Sequence, residues 1–202
     1  MQAMTPDLIT SLRSAVSQHG QTSSDYDLNP DVSLPLGRQL RDAAVLIAIQ
    51  EGPHGPSVLL TKRSSQLKHH PGQIAFPGGK VDPQDASFTE TALREAYEEI
   101  GLPSDHVTII GALPYHETVT GFKVAPIVAT IDRHFDIVPE AGEVEEVFTV
   151  PLAHVLNTDN YIIEGRLWRG QTRHFFTVPY GPYYIWGATA RILRAFADTF
   201  PQ

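Results

Sequence analysis

Glu95, Glu98 and Glu99 lie three and four residues apart in a stretch whose apolar positions, Phe88, Ala92, Leu93, Ala96 and Ile100, recur with the period of a helix. Ser87 is a natural cap for that helix and Gly101 a natural stop. At about 100° per residue, the three carboxylates share a ridge beside the apolar face. Like charges so placed destabilise a helix by about 0.2–0.5 kcal/mol per pair, and a bound cation relieves the repulsion. Carboxylate oxygens suit Mg²⁺ or Mn²⁺. The same residues also suit a solvated face of good helix formers, with Arg94 and Glu98 as an i,i+4 ion pair. The helix alone leaves both readings open.

A second asymmetry lies upstream. From Lys62 to Lys80 the chain carries Lys62, Arg63, Lys68 and Lys80, with His69 and His70, and no acidic residue. Ammonium and guanidinium groups beside a carboxylate-held cation are what a diphosphate needs for its charge to be neutralised. A solvated basic loop is the plainer alternative.

The order of the residues separates these readings. Arg94, Glu95, Ala96, Tyr97, Glu98, Glu99, Ile100, Gly101 and Leu102, preceded by the Phe76–Gly79 turn, resemble the Nudix box, with its REUxEExGU half and opening glycines. Counted from Gly79, the first acidic position of the box is Asp85 in place of glutamate, and the stretch from there to Arg94 is one residue too long. This insertion counts against a contact between Asp85 and Arg94 and leaves the register of the glutamates untouched. Leu59 to Ser64, then Lys68, Gly72 and Phe76–Gly79, resemble LLTxRSx3Rx3Gx3FPGG, a motif of the coenzyme A pyrophosphatases within the Nudix superfamily. Lys68 stands where that motif has arginine, which keeps the charge and loses bidentate phosphate recognition. Trp186, Gly187, Thr189 and Ala190 are a weaker match to the entrance of the family's C-terminal helix.

The resemblance implies an α/β/α sandwich with a mixed central sheet. It implies metal-dependent hydrolysis of coenzyme A or its derivatives to 4′-phosphopantetheine and adenosine 3′,5′-bisphosphate. Glu95, Glu98 and Glu99 would hold Mg²⁺ or Mn²⁺, with Arg94, Glu98 and Glu143 catalytic and Arg63, Lys68, Gly78, Gly79 and Lys80 binding substrate. Members of the family are often dimers, so a homodimer is possible by analogy. Hydrolysis of ADP-ribose or another nucleoside diphosphate derivative is the alternative, and a non-catalytic nucleotide-sensing module of the same fold is another. Such a module could lose glutamates that this chain keeps.

Other polar groups carry weaker signals. Glu140, Glu143, Glu145 and Glu146 read as an acidic loop, with Glu143 favoured as a further acid. His116 and Glu117 read as a loop pair that could move a proton but more commonly decorates a surface. Tyr180, Tyr183, Tyr184 and Trp186 could stack on a base, though packing against the last helix is the commoner fate.

Composition sets the frame. The chain has 202 residues, 42% hydrophobic and 19% charged, enough for a real core in one domain with additions. It contains no cysteine, which leaves carboxylates and histidines as metal ligands. A net charge of −8 opposes nucleic-acid binding, and no segment has the run of apolar residues that a membrane span or signal peptide requires, so a cytoplasmic protein is expected.

Periodicity predicts an N-terminal amphipathic helix on Leu8, Ile9, Leu12 and Val16, closing at Gly20, and a loop over 21–35. We expect an extension over 1–37 and the catalytic domain over 38–202. Strands are predicted at 43–49, 58–62, 107–113, 122–131 and 172–178, and helices at 88–100 and 185–200.

Overall fold

The structure is a computed structural model that describes residues 4–18, 20–35, 37–168 and 170–200; the outermost residues of the two expected segments, 1–3 and 201–202, lie outside them. Thr5 caps helix α1 (Pro6–Ser17) by accepting from the Leu8 N–H. A short strand β1 (Ser23–Ser24) follows, and then the hairpin of β2 (Arg41–Gly52) and β3 (Gly55–Arg63). Two short strands, β4 (Ile74–Ala75) and β5 (Gly78–Lys80), bring the chain to helix α2 (Phe88–Ile100). Next come β6 (Val107–Ala112), β7 (His116–Glu117), β8 (Phe122–Ile131) and β9 (Val144–Pro151). Helix α3 (Leu152–Leu156), the ribbon of β10 (Ile162–Trp168) and β11 (Gln171–Thr177), and helix α4 (Gly187–Asp198) complete the order.

The central sheet is mixed. Its path runs β1-β7-β8-β2-β3-β4, with β5 on β2, β6 on β8 and β9 on β3. β2 and β8 are parallel along ten registered pairs from Arg41↔Phe122 to Gln50↔Ile131, and β2 and β3 are antiparallel. Alternation along β2 feeds two cores. Ala43, Ile47 and Ile49 join Leu12, Leu193 and Phe196 on the side of α1 and α4, whereas Ala44, Leu46 and Ala48 join Ala92, Ala96 and Ile100 of α2. Because each face of a strand with period two must be covered, helices lie on both sides, giving the expected α/β/α sandwich.

Several expectations shift. The N-terminal helix ends at Ser17 and is part of the main core, since Leu12 and Ala15 are fully buried there. The acidic stretch is not loop throughout: Glu145 and Glu146 sit on β9, paired with β3 through Lys62↔Glu146. The strand predicted at 172–178 forms one residue earlier and pairs along its length with β10 in a separate ribbon, with a single bridge from Thr177 to Trp186. His116 lies on β7, wholly buried, with Nδ1 2.9 Å from the Ser23 hydroxyl and Nε2 3.3 Å from Asp25. Both ring nitrogens are engaged in tying β1 to β7, so His116 does not decorate the surface. Glu117 pairs with Arg38.

No helix among the described residues is long and apolar enough to cross a membrane. Leu12→Ala should cost about 2–5 kcal/mol in chemical denaturation, as for other fully buried leucines. A cost below about 0.5 kcal/mol would show that α1 rests outside the core.

Candidate active site

Helix α2 begins where Ser87 Oγ accepts from Glu90 N–H at 3.2 Å and the Glu90 carboxylate accepts from Ala86 N–H at 2.6 Å. It ends at Gly101, which takes the left-handed conformation (φ 73°) and donates to the Tyr97 carbonyl. Only a residue without Cβ adopts that conformation at little cost. Between these ends, Ala92 and Ala96 face the sheet, and their small side chains let the helix approach β2 and β5 closely.

The approach is closest at the glycine turn. A Cβ on Gly79 would land on the Glu95 carboxylate, and one on Gly78 would strike the Ala44 carbonyl and Val45. Gly78 therefore requires glycine, since its clash is with backbone, whereas a side chain at 79 would instead push the Glu95 carboxylate out of place. The Gly78 N–H donates to Glu99 Oε2 at 3.3 Å. Of the two glycines predicted to touch substrate, Gly78 thus holds the Glu99 carboxylate and Gly79 leaves room for that of Glu95.

Glu99 is only 4% exposed, although a glutamate in water is ionised at neutral pH. Burial pushes its carboxyl up to about 8; the Gly78 N–H and the Arg63 charge act against the shift, while Glu95 and Glu143 add to it. Glu95 is raised as well, first by burial and then by the charges of Glu98 and Glu143, with Arg94 opposing. Two carboxylates disfavoured by burial and by each other are a donor set that a hard divalent cation would satisfy. Among the described residues no group of three or more His, Asp or Glu side chains is closed into a metal-holding arrangement. Glu98 is the outer member, its side chain 55% exposed.

Arg94 orders this ridge. Its Nη1 donates to Glu95 Oε1 at 2.9 Å and to Glu98 Oε2 at 3.1 Å, and its Nη2 donates to the Lys80 carbonyl at 3.1 Å. Nε and Nη2 both bond Asp85, each at 3.0 Å. The one-residue insertion counts against an Asp85–Arg94 contact, yet the contact is made. The loop absorbs the extra residue because Asp85 Oδ2 also accepts from Asp82 N–H at 2.9 Å and from Thr91 Oγ1 at 2.8 Å, which folds the loop back onto the helix. The Arg94 guanidinium holds the Asp85 carboxyl well below the usual carboxylate range, and Asp85 in turn raises Arg94.

The basic segment is split in its roles. Arg63 lies at the end of β3, close enough for its charge to favour ionised Glu99, and its Nε is buried with no hydrogen-bond partner among the described residues. An unsatisfied guanidinium N–H beside the carboxylates is a donor waiting for an anionic ligand. Lys62 is already committed to Glu145 at 2.6 Å. Lys68 and Lys80 are exposed, and Lys80 is anchored to Arg94 through its carbonyl. Glu143 is exposed at the entrance to β9, held by its N–H on Glu140 Oε2 at 2.9 Å, and its charge reaches both Glu95 and Glu99.

The C-terminal aromatics pack. Tyr183 stacks on Phe148 with ring centroids 3.5 Å apart and donates to Glu146 at 2.6 Å; Tyr184 donates to Glu164, and Trp186 lies against Phe175. Asp85, as anchor of Arg94, is the residue whose role sequence reasoning missed. Asp85→Ala removes two charge-assisted bonds from the half-buried Arg94 guanidinium and should destabilise the fold by about 1–3 kcal/mol while displacing Glu95 and Glu98. Wild-type stability in this variant, measured by denaturation, would show that the contact is incidental.

Residues 40–167 match the family model of the NUDIX domain. The chain is 45% identical over 159 residues to the uncharacterized Nudix hydrolase NudL of Enterobacter sp. (strain 638), covering 78% of this chain and 81% of that protein. It is 43% identical over 157 residues to the protein of the same name from Salmonella paratyphi B, with the same coverage. Among solved structures, the MutT protein from Methanosarcina mazei Go1 is similar in fold, with a TM-score of 0.52 and 23% identity over 82% of this chain and 96% of that one. With its box of glutamates built on α2 and its glycine turn beneath them, the chain belongs to the NUDIX family, as a hydrolase of phosphoanhydride bonds in nucleoside-diphosphate-linked substrates, with the metal dependence that membership brings.

Proposed function

We propose that the substrate is coenzyme A or a derivative of it, cleaved at its diphosphate linkage to 4′-phosphopantetheine and adenosine 3′,5′-bisphosphate. The observation that carries this reading is the run Leu59–Ser64, Lys68, Gly72 and Phe76–Gly79, whose two ends converge on one carboxylate: Arg63 through its charge and Gly78 through its N–H both act on Glu99. A motif otherwise associated with coenzyme A pyrophosphatases is thus continuous with the acidic ridge.

Glu95 and Glu99 are the principal ligands in this reading, with Glu98 sharing the site, and the ion is Mg²⁺ or Mn²⁺. When bound, the cation supplies positive charge at the diphosphate oxygens. Arg63, Lys68 and Lys80 bind the remaining phosphate charge, and Gly78 and Gly79 shape the floor. Arg94 fixes Glu95 and Glu98 in orientation. Glu143, on its short loop, takes the proton from the attacking water; the new P–O bond forms as the bridging P–O bond opposite it breaks, and the leaving phosphate departs as an oxyanion.

The test is to incubate the protein with coenzyme A, ADP-ribose and nucleoside triphosphates in Mg²⁺ or Mn²⁺ and identify products by mass. Coenzyme A should yield the two named products at the highest kcat/KM; preferential cleavage of ADP-ribose would overturn the substrate, and no cleavage of any would overturn the enzyme. Glu99→Gln should lower kcat by at least about 100-fold with the fold intact. Lys68→Ala should chiefly raise KM for coenzyme A, and an unchanged KM would remove Lys68 from the site.

A further inference from the structure

The ribbon of β10 and β11 stands apart from the central sheet and presents Ile162, Ile163 and Leu167 to solvent, with Ile163 55% and Leu167 73% exposed. Isolated two-stranded ribbons are marginal, and exposed edges are usually blunted by lysine, proline or a covering segment. The outer edge of β11 is covered. Asn29 Nδ2 donates to the His174 carbonyl at 2.8 Å, His174 N–H donates to Asn29 Oδ1 at 2.8 Å, and beyond them Val178 N–H donates to the Ile185 carbonyl. β10 pairs with β11 alone among the described residues, and its sequence, Ile-Ile-Glu-Gly-Arg-Leu-Trp, has neither lysine nor proline.

That sequence is chemically palindromic about Gly165. Reversed against itself, Glu164 meets Arg166, Ile163 meets Leu167, and Ile162 meets Trp168. The backbone parity agrees. Since the His174 N–H and C=O point away from β10, the directly opposite residue Gly165 directs its own N–H and C=O to the outer edge, and so do Ile163 and Leu167.

We infer that β10 pairs antiparallel with β10 of a second copy of this chain, about a two-fold axis at Gly165, joining two ribbons into a four-stranded sheet. Such an interface is isologous, each contact occurring twice. Gly165 bonds Gly165 of the partner subunit, and the pairs at 163 and 167 bring the total to about six inter-chain hydrogen bonds. On one face Ile163 and Leu167 cover each other's counterparts. On the other, half-buried Glu164, held in place by the Tyr184 hydroxyl at 2.9 Å, faces exposed Arg166 across the axis.

Sedimentation over a wide concentration range should show a wild-type dimer. Glu164→Arg alone places like charges opposite each other and should weaken association by about tenfold or more, and adding Arg166→Glu should restore it. Because the chain has no cysteine, Ile163→Cys with Leu167→Cys tests the register directly. The paired Cα atoms would stand about 5.5 Å apart, within disulfide range, so the double variant should form a covalent dimer on oxidation and each single variant should not. A monomer at all concentrations, a dimer indifferent to Glu164→Arg, or single variants that cross-link as well as the double would each overturn the inference.

Discussion

A carboxylate taken out of water is costly unless something positive or hydrogen-bonding meets it. Glu99 is nearly fully buried and receives the Gly78 N–H at 3.3 Å, while Glu95 lies hard against Gly79. The rest of the site is arranged around this contact. Ala92 and Ala96 let α2 come close to the sheet, β2 carries the turn that holds the two glycines, and β3 delivers Arg63 to the same place. A bulkier residue at 79 would collide with the Glu95 carboxylate, and a more distant helix would leave Glu99 without its N–H.

Arg94 gives the ridge its second constraint. One guanidinium gathers Asp85, Glu95 and Glu98 and reaches the Lys80 carbonyl, so a single side chain ties together the loop before α2, the first carboxylates of the ridge and the end of β5. Charge-assisted bonds of this kind are short and directional, which suits the orientation of ligands better than it suits stability at an exposed surface. The strongest of them, to Asp85, lies farthest from the buried glutamates and serves as the anchor.

The acidic helix was legible because periodicity, a serine cap and a terminal glycine all mark the same thirteen residues, and local signals of that kind survive folding unchanged. β8 was legible over its full length for the same reason. β9 was not: Glu145 and Glu146 mimic a loop, and only pairing with β3, where Lys62 takes Glu145, makes it a strand. β10 escaped notice because Gly165 and the charges beside it interrupt its apolar pattern. The Asp85–Arg94 bond was misjudged because counting along a box assumes a rigid loop, whereas hydrogen bonds from Asp82 and Thr91 fold the extra residue in. Burial, too, is non-local: nothing in the sequence says that Glu99 loses water while Glu98 keeps it.

In the proposed reaction buried Glu99 would be a principal cation ligand. Burial pushes the Glu99 carboxyl up to about 8, so in the proposed reading most molecules would carry a proton there at pH 7 and a bound cation would displace it. Calorimetric titration of cation-free protein with Mn²⁺ at pH 7, repeated in buffers of different ionisation enthalpy, counts the protons released. About one proton should leave Glu99 per ion bound at pH 7, and affinity should rise as pH climbs through about 8, where half of the carboxyls are ionised, and level off above it. Binding with no proton release, equally tight from pH 6 to pH 9 on the order of the same Kd, would contradict the account.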